Sequence, residues 1–290
     1  MALPGLDGFG ADETVRQFRT ERMNLTRRSM CMGALSLAAC AGVWPASAAE
    51  ADVAAAIAED FGPLPDLASI PDGGIRIALP EFSDSGKSVP LTVTVPASMS
   101  GTDYPELVAV YAARNPRPRV CRVSFTPACA EASFSTRIRI DSYQDVTIMV
   151  RMADGTVYRA VRKVDVTYGA CEDPIANEQF PPGWSPSMRV SVPKVVISGS
   201  EAEIRTIIGH PMETGFRHNM QGLLIPVRIA ETFHCKLDGD TVFSVRLEPA
   251  IAANPYFAFK LKAPASGELR FEWEDTTGDL YTTTAELVVA

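Results

Sequence analysis

Histidine is scarce in this chain. Only His210, His218 and His234 occur among 290 residues. No His-x-His, His-Glu-x-x-His or Cys-x-x-Cys spacing is present, and His234 and Cys235 are strand neighbours that point to opposite faces, so no metal centre is expected. The Gly-x-Ser-x-Gly turn of a serine hydrolase and the glycine loops that cradle phosphates are both missing, and no cofactor is expected. Lysine and arginine form no block in the body of the chain, and the net charge is −8. That excludes nucleic acid, whose affinity depends on clustered cations. No apolar stretch reaches the roughly 20 residues that a membrane-spanning helix requires.

What is present begins with a leader. Arg27-Arg28 precedes the weakly apolar Cys31–Val43, and Ala46-Ser47-Ala48 follows. Charged, apolar and small-residue segments in that order read as a twin-arginine export signal covering residues 1–48, which predicts a periplasmic protein. Residues 1–22 fit no part of such a signal, so Met23 is an alternative start. Leu37-Ala-Ala-Cys40 resembles a lipobox, and lipid anchoring at Cys40 is the lesser alternative to cleavage after Ala48.

Beyond the leader, Ala51–Asp60 is rich in helix formers and predicts a short helix. From Ile75 the pattern alternates with period two. Strands are expected at 75–79, 91–95, 107–112, 120–125, 132–140, 146–152 and 158–168. Residues 172–187 carry Pro174, Pro181, Pro182 and Pro186 without periodicity and read as a linker. Alternation resumes at 188–193, 201–208, 228–237, 241–247, 258–263, 267–273 and 280–289. The expected fold is all-β: two tandem immunoglobulin-like antiparallel sandwiches, over 49–171 and 188–290.

The cysteines carry the remaining chemistry. Cys121 and Cys129 sit eight residues apart around a reversal, either joined as a disulfide or buried as two free thiols. Cys235 lies in an alternating strand pattern and reads as core. Cys171, in Tyr168-Gly-Ala-Cys-Glu-Asp-Pro174, ends the first β-rich half without a local partner.

Several motifs extend this reading. Ala113-Arg-Asn-Pro-Arg-Pro118, Phe125-Thr-Pro127, Ser135-Thr-Arg-Ile-Arg139 and Met152-Ala-Asp-Gly155 occur in the order found in the SoxY family, which residues 75–168 resemble. Residues 188–290 resemble the SoxZ family, through His210-Pro-Met-Glu-Thr-Gly-Phe216, Pro249-Ala-Ile-Ala-Ala-Asn-Pro-Tyr256 and Phe271-Glu-Trp-Glu-Asp275. The resemblance implies a carrier for thiosulfate oxidation that is not itself an enzyme. Sulfur intermediates would be held covalently on Cys171, with Gly169 and Ala170 in a flexible arm. Implied partners are a c-type cytochrome that loads thiosulfate, a dimanganese thiosulfohydrolase and a sulfane dehydrogenase. The alternative is a non-covalent accessory protein, for example of a quinoprotein dehydrogenase. The SoxY arm reads Gly-Gly-Cys-Gly-Gly; here only Gly169 keeps that pattern, Glu172 and Asp173 follow the cysteine, and the chain continues into the second half. The loop around His210, Glu213 and Arg217 is expected to be braced by hydrogen bonds, with use as a docking surface the lesser alternative.

Overall fold

A computed structural model describes residues 48–170, 180, 181 and 183–290. The described residues begin with helix α1 (Ala48–Phe61), about one turn longer than the 51–60 expected from helix propensity, and stopped by Gly62 at φ +76°. In the first half follow β1 (Arg76–Ala78), β2 (Phe82–Ser85), β3 (Val89–Val95), β4 (Pro105–Ala112), β5 (Arg119–Phe125), β6 (Cys129–Ile138), β7 (Gln144–Met152) and β8 (Val157–Tyr168). The second half adds β9 (Met188–Ser191), β10 (Glu201–Ile208), β11 (Ala230–Leu237), β12 (Asp240–Leu247), β13 (Tyr256–Lys262), β14 (Gly267–Asp275) and β15 (Leu280–Leu287).

Period-two alternation is what makes these segments strands. In β3, Val89, Leu91, Val93 and Val95 are buried, while Thr92 and Thr94 on the other face share hydroxyl hydrogen bonds with Ser135 and Ser133 of β6. The strands form two sheets, ordered β1-β3-β6-β13-β10-β9 and β15-β14-β11-β12-β5-β4-β7-β8-β2. The fold is therefore all-β and sandwich-like, as expected, but the two halves share both sheets where two tandem sandwiches were expected. Each half contributes strands to both sheets, and the halves join edge to edge through antiparallel pairs β5–β12 and β6–β13. This pairing covers four strand edges that would otherwise expose unpaired backbone groups.

The core runs across the seam. Phe243 stacks on Phe259 with ring centroids 4.0 Å apart, Phe125 meets Phe243 edge-on at 5.4 Å, and Phe233 packs on Trp273 at 4.4 Å. Phe125 belongs to the first half and the other rings to the second, so apolar burial holds the halves together. Helix α1 lies on a separate small cluster, setting Val53, Ala56 and Ile57 against Ala109, Tyr111 and Met149.

Of the two alternatives for Cys121 and Cys129, the disulfide is corrected and the pair of buried free thiols is what the structure shows: Cys121 lies in β5 of the nine-stranded sheet, whereas Cys129 opens β6 of the other. The Cys129 thiol instead donates to the Val242 carbonyl at 3.3 Å. Strand β2 escaped the sequence pattern because Phe-Ser-Asp-Ser does not alternate; it is held by parallel pairing to the end of β8.

Candidate functional site

Strand β8 leads directly to the cysteine that the sequence singles out. Cys171 lies outside the described residues, as do Cys31, Cys40, Glu172 and Asp173, but the two residues before it are placed. Gly86 donates its N–H to the Tyr168 carbonyl at 2.7 Å, and its own carbonyl accepts from Ile140 at 2.8 Å. The Ala170 N–H donates to the Ile140 carbonyl at 3.0 Å. Gly169 is buried, and a Cβ there would overlap the Asp141 carbonyl oxygen. Gly169 and Ala170, expected as part of a flexible arm, are thus packed into the end of the sheet. Close backbone approach, rather than conformational freedom, accounts for glycine at 169.

Ala170 lines a narrow cleft, of about 30 Å³, at the seam between the halves. Asn115, Arg117 and Arg139 line it from the first half, and Thr214, Phe216 and Pro249 from the second. Buried Asn115 organises the first-half side. Its Nδ2 donates to the Arg139 carbonyl at 2.8 Å, and its Oδ1 accepts from the Asp141 N–H and Gln144 Nε2, each at 3.0 Å. Gln144 in turn accepts from the Arg114 N–H at 2.7 Å. Each polar group in this buried network thereby keeps a partner.

Arg139 ties the halves together. Its Nη1 donates to the carbonyls of Met212 at 3.0 Å and Pro249 at 2.9 Å, and its backbone N–H to Ala250 at 2.7 Å. One guanidinium therefore clasps the 210–216 and 249–256 loops to the strand end beside Ala170. Arg139→Ala is expected to lower stability by about 2–4 kcal/mol, because charge-assisted bonds are lost and buried carbonyls are left unpaired. Urea denaturation measures this, and Arg139→Lys should recover less than half, since an ammonium lacks the planar fork.

The loop beyond Gly209 is braced as expected. The His210 Nδ1 accepts from the Met212 N–H at 3.0 Å, and the His210 carbonyl accepts from Asn254 at 2.7 Å. The Glu213 carboxylate accepts from Arg217, while its backbone exchanges hydrogen bonds with Arg228 at 2.8 and 3.0 Å. Burial pulls the His210 imidazole down to about 4, so it is neutral near pH 7. Its Nε2 stands 3.9 Å from Asp275, too far for a hydrogen bond.

Phe180 and Trp184, from the Pro-rich connector, pack on that imidazole at 5.4 and 5.3 Å. The Arg228 guanidinium lies over both rings, at 4.4 and 5.0 Å. The described end of the connector is thus fixed to the second half by aromatic and cation–π contacts. Asn115 and His210 lie within sequence motifs, but the sequence carries no signal for Gln144, Phe180 or Trp184, whose roles arise from distant partners.

The three described thiols, Cys121, Cys129 and Cys235, are buried and so poor nucleophiles. Burial pushes Cys129 up to about 11 and holds Cys121 and Cys235 far above the ordinary thiol range. Among the described residues, no three His, Cys, Asp or Glu side chains converge as a metal site, and no helix is long and apolar enough to cross a membrane.

Family models match both halves. Residues 65–171 match sulfur oxidation protein SoxY, and residues 188–286 match sulphur oxidation protein SoxZ. The SoxY match ends on Cys171. Among solved structures, the chain is similar to the sulfur carrier protein SoxY from Chlorobium limicola f thiosulfatophilum. That similarity has 28% identity and a TM-score of 0.34, covering 41% of this chain and 94% of that one. It is also similar to a superoxide reductase (neelaredoxin) from Ignicoccus hospitalis, at 18% identity and TM-score 0.29, covering 32% of this chain and 79% of that one. No curated protein matches the chain.

Proposed function

We propose, for a chain whose first half belongs to the SoxY family and whose second half belongs to the SoxZ family of sulfur-oxidation proteins, that it is a periplasmic carrier holding sulfur intermediates on Cys171. The observation that carries this reading is the position of Cys171. It follows directly on Ala170, which is fixed in a cleft built by motif residues of both families. The three described cysteines, Cys121, Cys129 and Cys235, are buried free thiols, which leaves Cys171 as the other cysteine outside the leader.

The chemistry suits a thiol. In loading, the Cys171 thiolate and the outer sulfur of thiosulfate form an S–S bond, and the two electrons released pass to the c-type cytochrome. Hydrolysis by the thiosulfohydrolase then breaks the bond to the sulfonate group, releasing sulfate and leaving a persulfide on the carrier. The sulfane dehydrogenase would act on that sulfur. A sulfur–sulfur bond is apt for such traffic because a thiolate is both nucleophile and leaving group. The twin-arginine leader supports the periplasmic assignment, and partnership with sulfur-oxidation enzymes follows from the two families.

Glu172 and Asp173 favour a second reading. Their charge beside the sulfur disfavours a thiolate and an anionic adduct. Under it the chain is a non-covalent accessory, for example of a quinoprotein dehydrogenase. One experiment separates the two. Mature protein incubated with thiosulfate and the partner cytochrome should gain adduct mass on the Cys171 peptide, and Cys171→Ser should gain none. An unmodified wild type, or equal labelling of both proteins, supports the accessory reading.

A further inference from the structure

The loop that opens with the His210 motif continues outward as a hairpin. Glu213 and Arg228 close its base, Ile225 donates to the Arg217 carbonyl at 2.9 Å, and Asn219 donates to the Leu223 carbonyl at 2.8 Å. The Asn219 side chain fixes the tip by accepting from the N–H groups of Gln221 and Leu223 at 3.0 and 2.9 Å. Gly222 at φ +76° completes the turn. At the base, Gly215 at φ +80° packs on Val227, where a larger side chain would collide. The hairpin is therefore well ordered, yet its outer half is apolar: Met220, Leu223 and Leu224 are 78%, 65% and 58% exposed, and Phe216 is 41% exposed.

An ordered element that holds apolar side chains in water is the form of a binding surface, because little entropy remains to be lost on docking. We propose that this hairpin docks the enzymes that act on Cys171, by inserting Met220, Leu223 and Leu224 into an apolar depression beside their active-site mouths. The proposal rests on the carrier reading and names its partner surface.

Three features select that occupant. First, Phe216 at the hairpin base lines the same cleft as Ala170, so a protein reaching the residue after Ala170 meets this hairpin. Second, residues 214–227 contain no Asp or Glu in a chain of net charge −8, so the surface needs an apolar rather than a basic counterpart. Third, its size suits an encounter that must end. From Phe216 to Leu224 the hairpin offers nine residues, against the roughly 20–30 a side of a standard stable interface, which disfavours a permanent second copy. Methionine adapts to more than one partner, as a carrier served by several enzymes requires.

The test is the triple variant Met220→Ser, Leu223→Ser, Leu224→Ser in the mature protein, with wild type alongside. Thermal melting and alkylation of Cys171 by iodoacetamide should be unchanged, showing that fold and thiol are intact. Loading of thiosulfate by the partner cytochrome should show a KM for the carrier raised about tenfold with kcat retained. Equal KM values for the two proteins overturn the docking role while leaving the carrier reading in place. A wild type that acquires no adduct overturns the carrier reading, and the docking role with it.

Discussion

Gly86→Ala is expected to destabilise the fold by about 3 kcal/mol or more and to displace the chain that leads into Cys171. Gly86 sits between two backbones. It donates to Tyr168 and accepts from Ile140, and Ile140 in turn accepts from Ala170. A Cβ on Gly86 would overlap the Ile140 carbonyl oxygen, with the Ala170 nitrogen also close. Neither is a side-chain tip that can swing aside, so the added methyl must move backbone. Either the Ile140 segment or the end of β8 gives way, and both hold Ala170. Gly62→Ala serves as the control: the site is open, but φ is +76°, and the cost should be about 1 kcal/mol. Denaturant unfolding measures the stabilities, and hydrogen exchange at the Ala170 amide reports the root of the arm. Equal stability for Gly86→Ala and wild type would show that this packing does not position the arm.

Glycine at 86 also marks the limit of reading the sequence. Ser85-Gly86-Lys87 looks like an ordinary turn, and its tight fit depends on Ile140, more than fifty residues away. The strands were legible because Val89, Leu91, Val93 and Val95 alternate with polar residues, and burial on one sheet face requires that alternation. Merging of the halves was not legible. It depends on register between β5 and β12, in which Phe125 faces Phe243 and Cys121 faces Leu247, and nothing local specifies those partners. Arg139 and Asn115 lie within the family-like motifs, yet ordinary polar residues disclose a buried network only when the fold brings their partners together. Cys171 was found differently. Its position after the last strand of the first half made it notable, and resemblance to SoxY gave it a role.

Asp60→Ala is expected to lower stability by about 2–4 kcal/mol, although Asp60 does not line the cleft. Its carboxylate, only 3% exposed, accepts from the Tyr111 hydroxyl at 2.6 Å, Arg119 Nε at 2.7 Å and Arg122 Nη1 at 3.0 Å. Removing it leaves two guanidinium groups and a hydroxyl without the carboxylate that gathers them. Both arginines retain a quarter of their exposure and keep Glu59 or Glu248 as partners, so solvent and those carboxylates offset part of the loss. Glu59→Ala is the contrast: 70% exposed, it should cost under about 1 kcal/mol. Arg122 also bonds Glu248 of the second half at 3.3 Å, next to Pro249 in the cleft. Helix α1 is therefore coupled to the same loop that Arg139 clasps. If the coupling operates, Asp60→Ala and Arg139→Ala combined should depart from additivity by at least about 0.5 kcal/mol. Additive losses in denaturant unfolding would mean that α1 and the cleft are held independently. A loss for Asp60→Ala no larger than that for Glu59→Ala would remove the buried carboxylate from the account of how α1 is held.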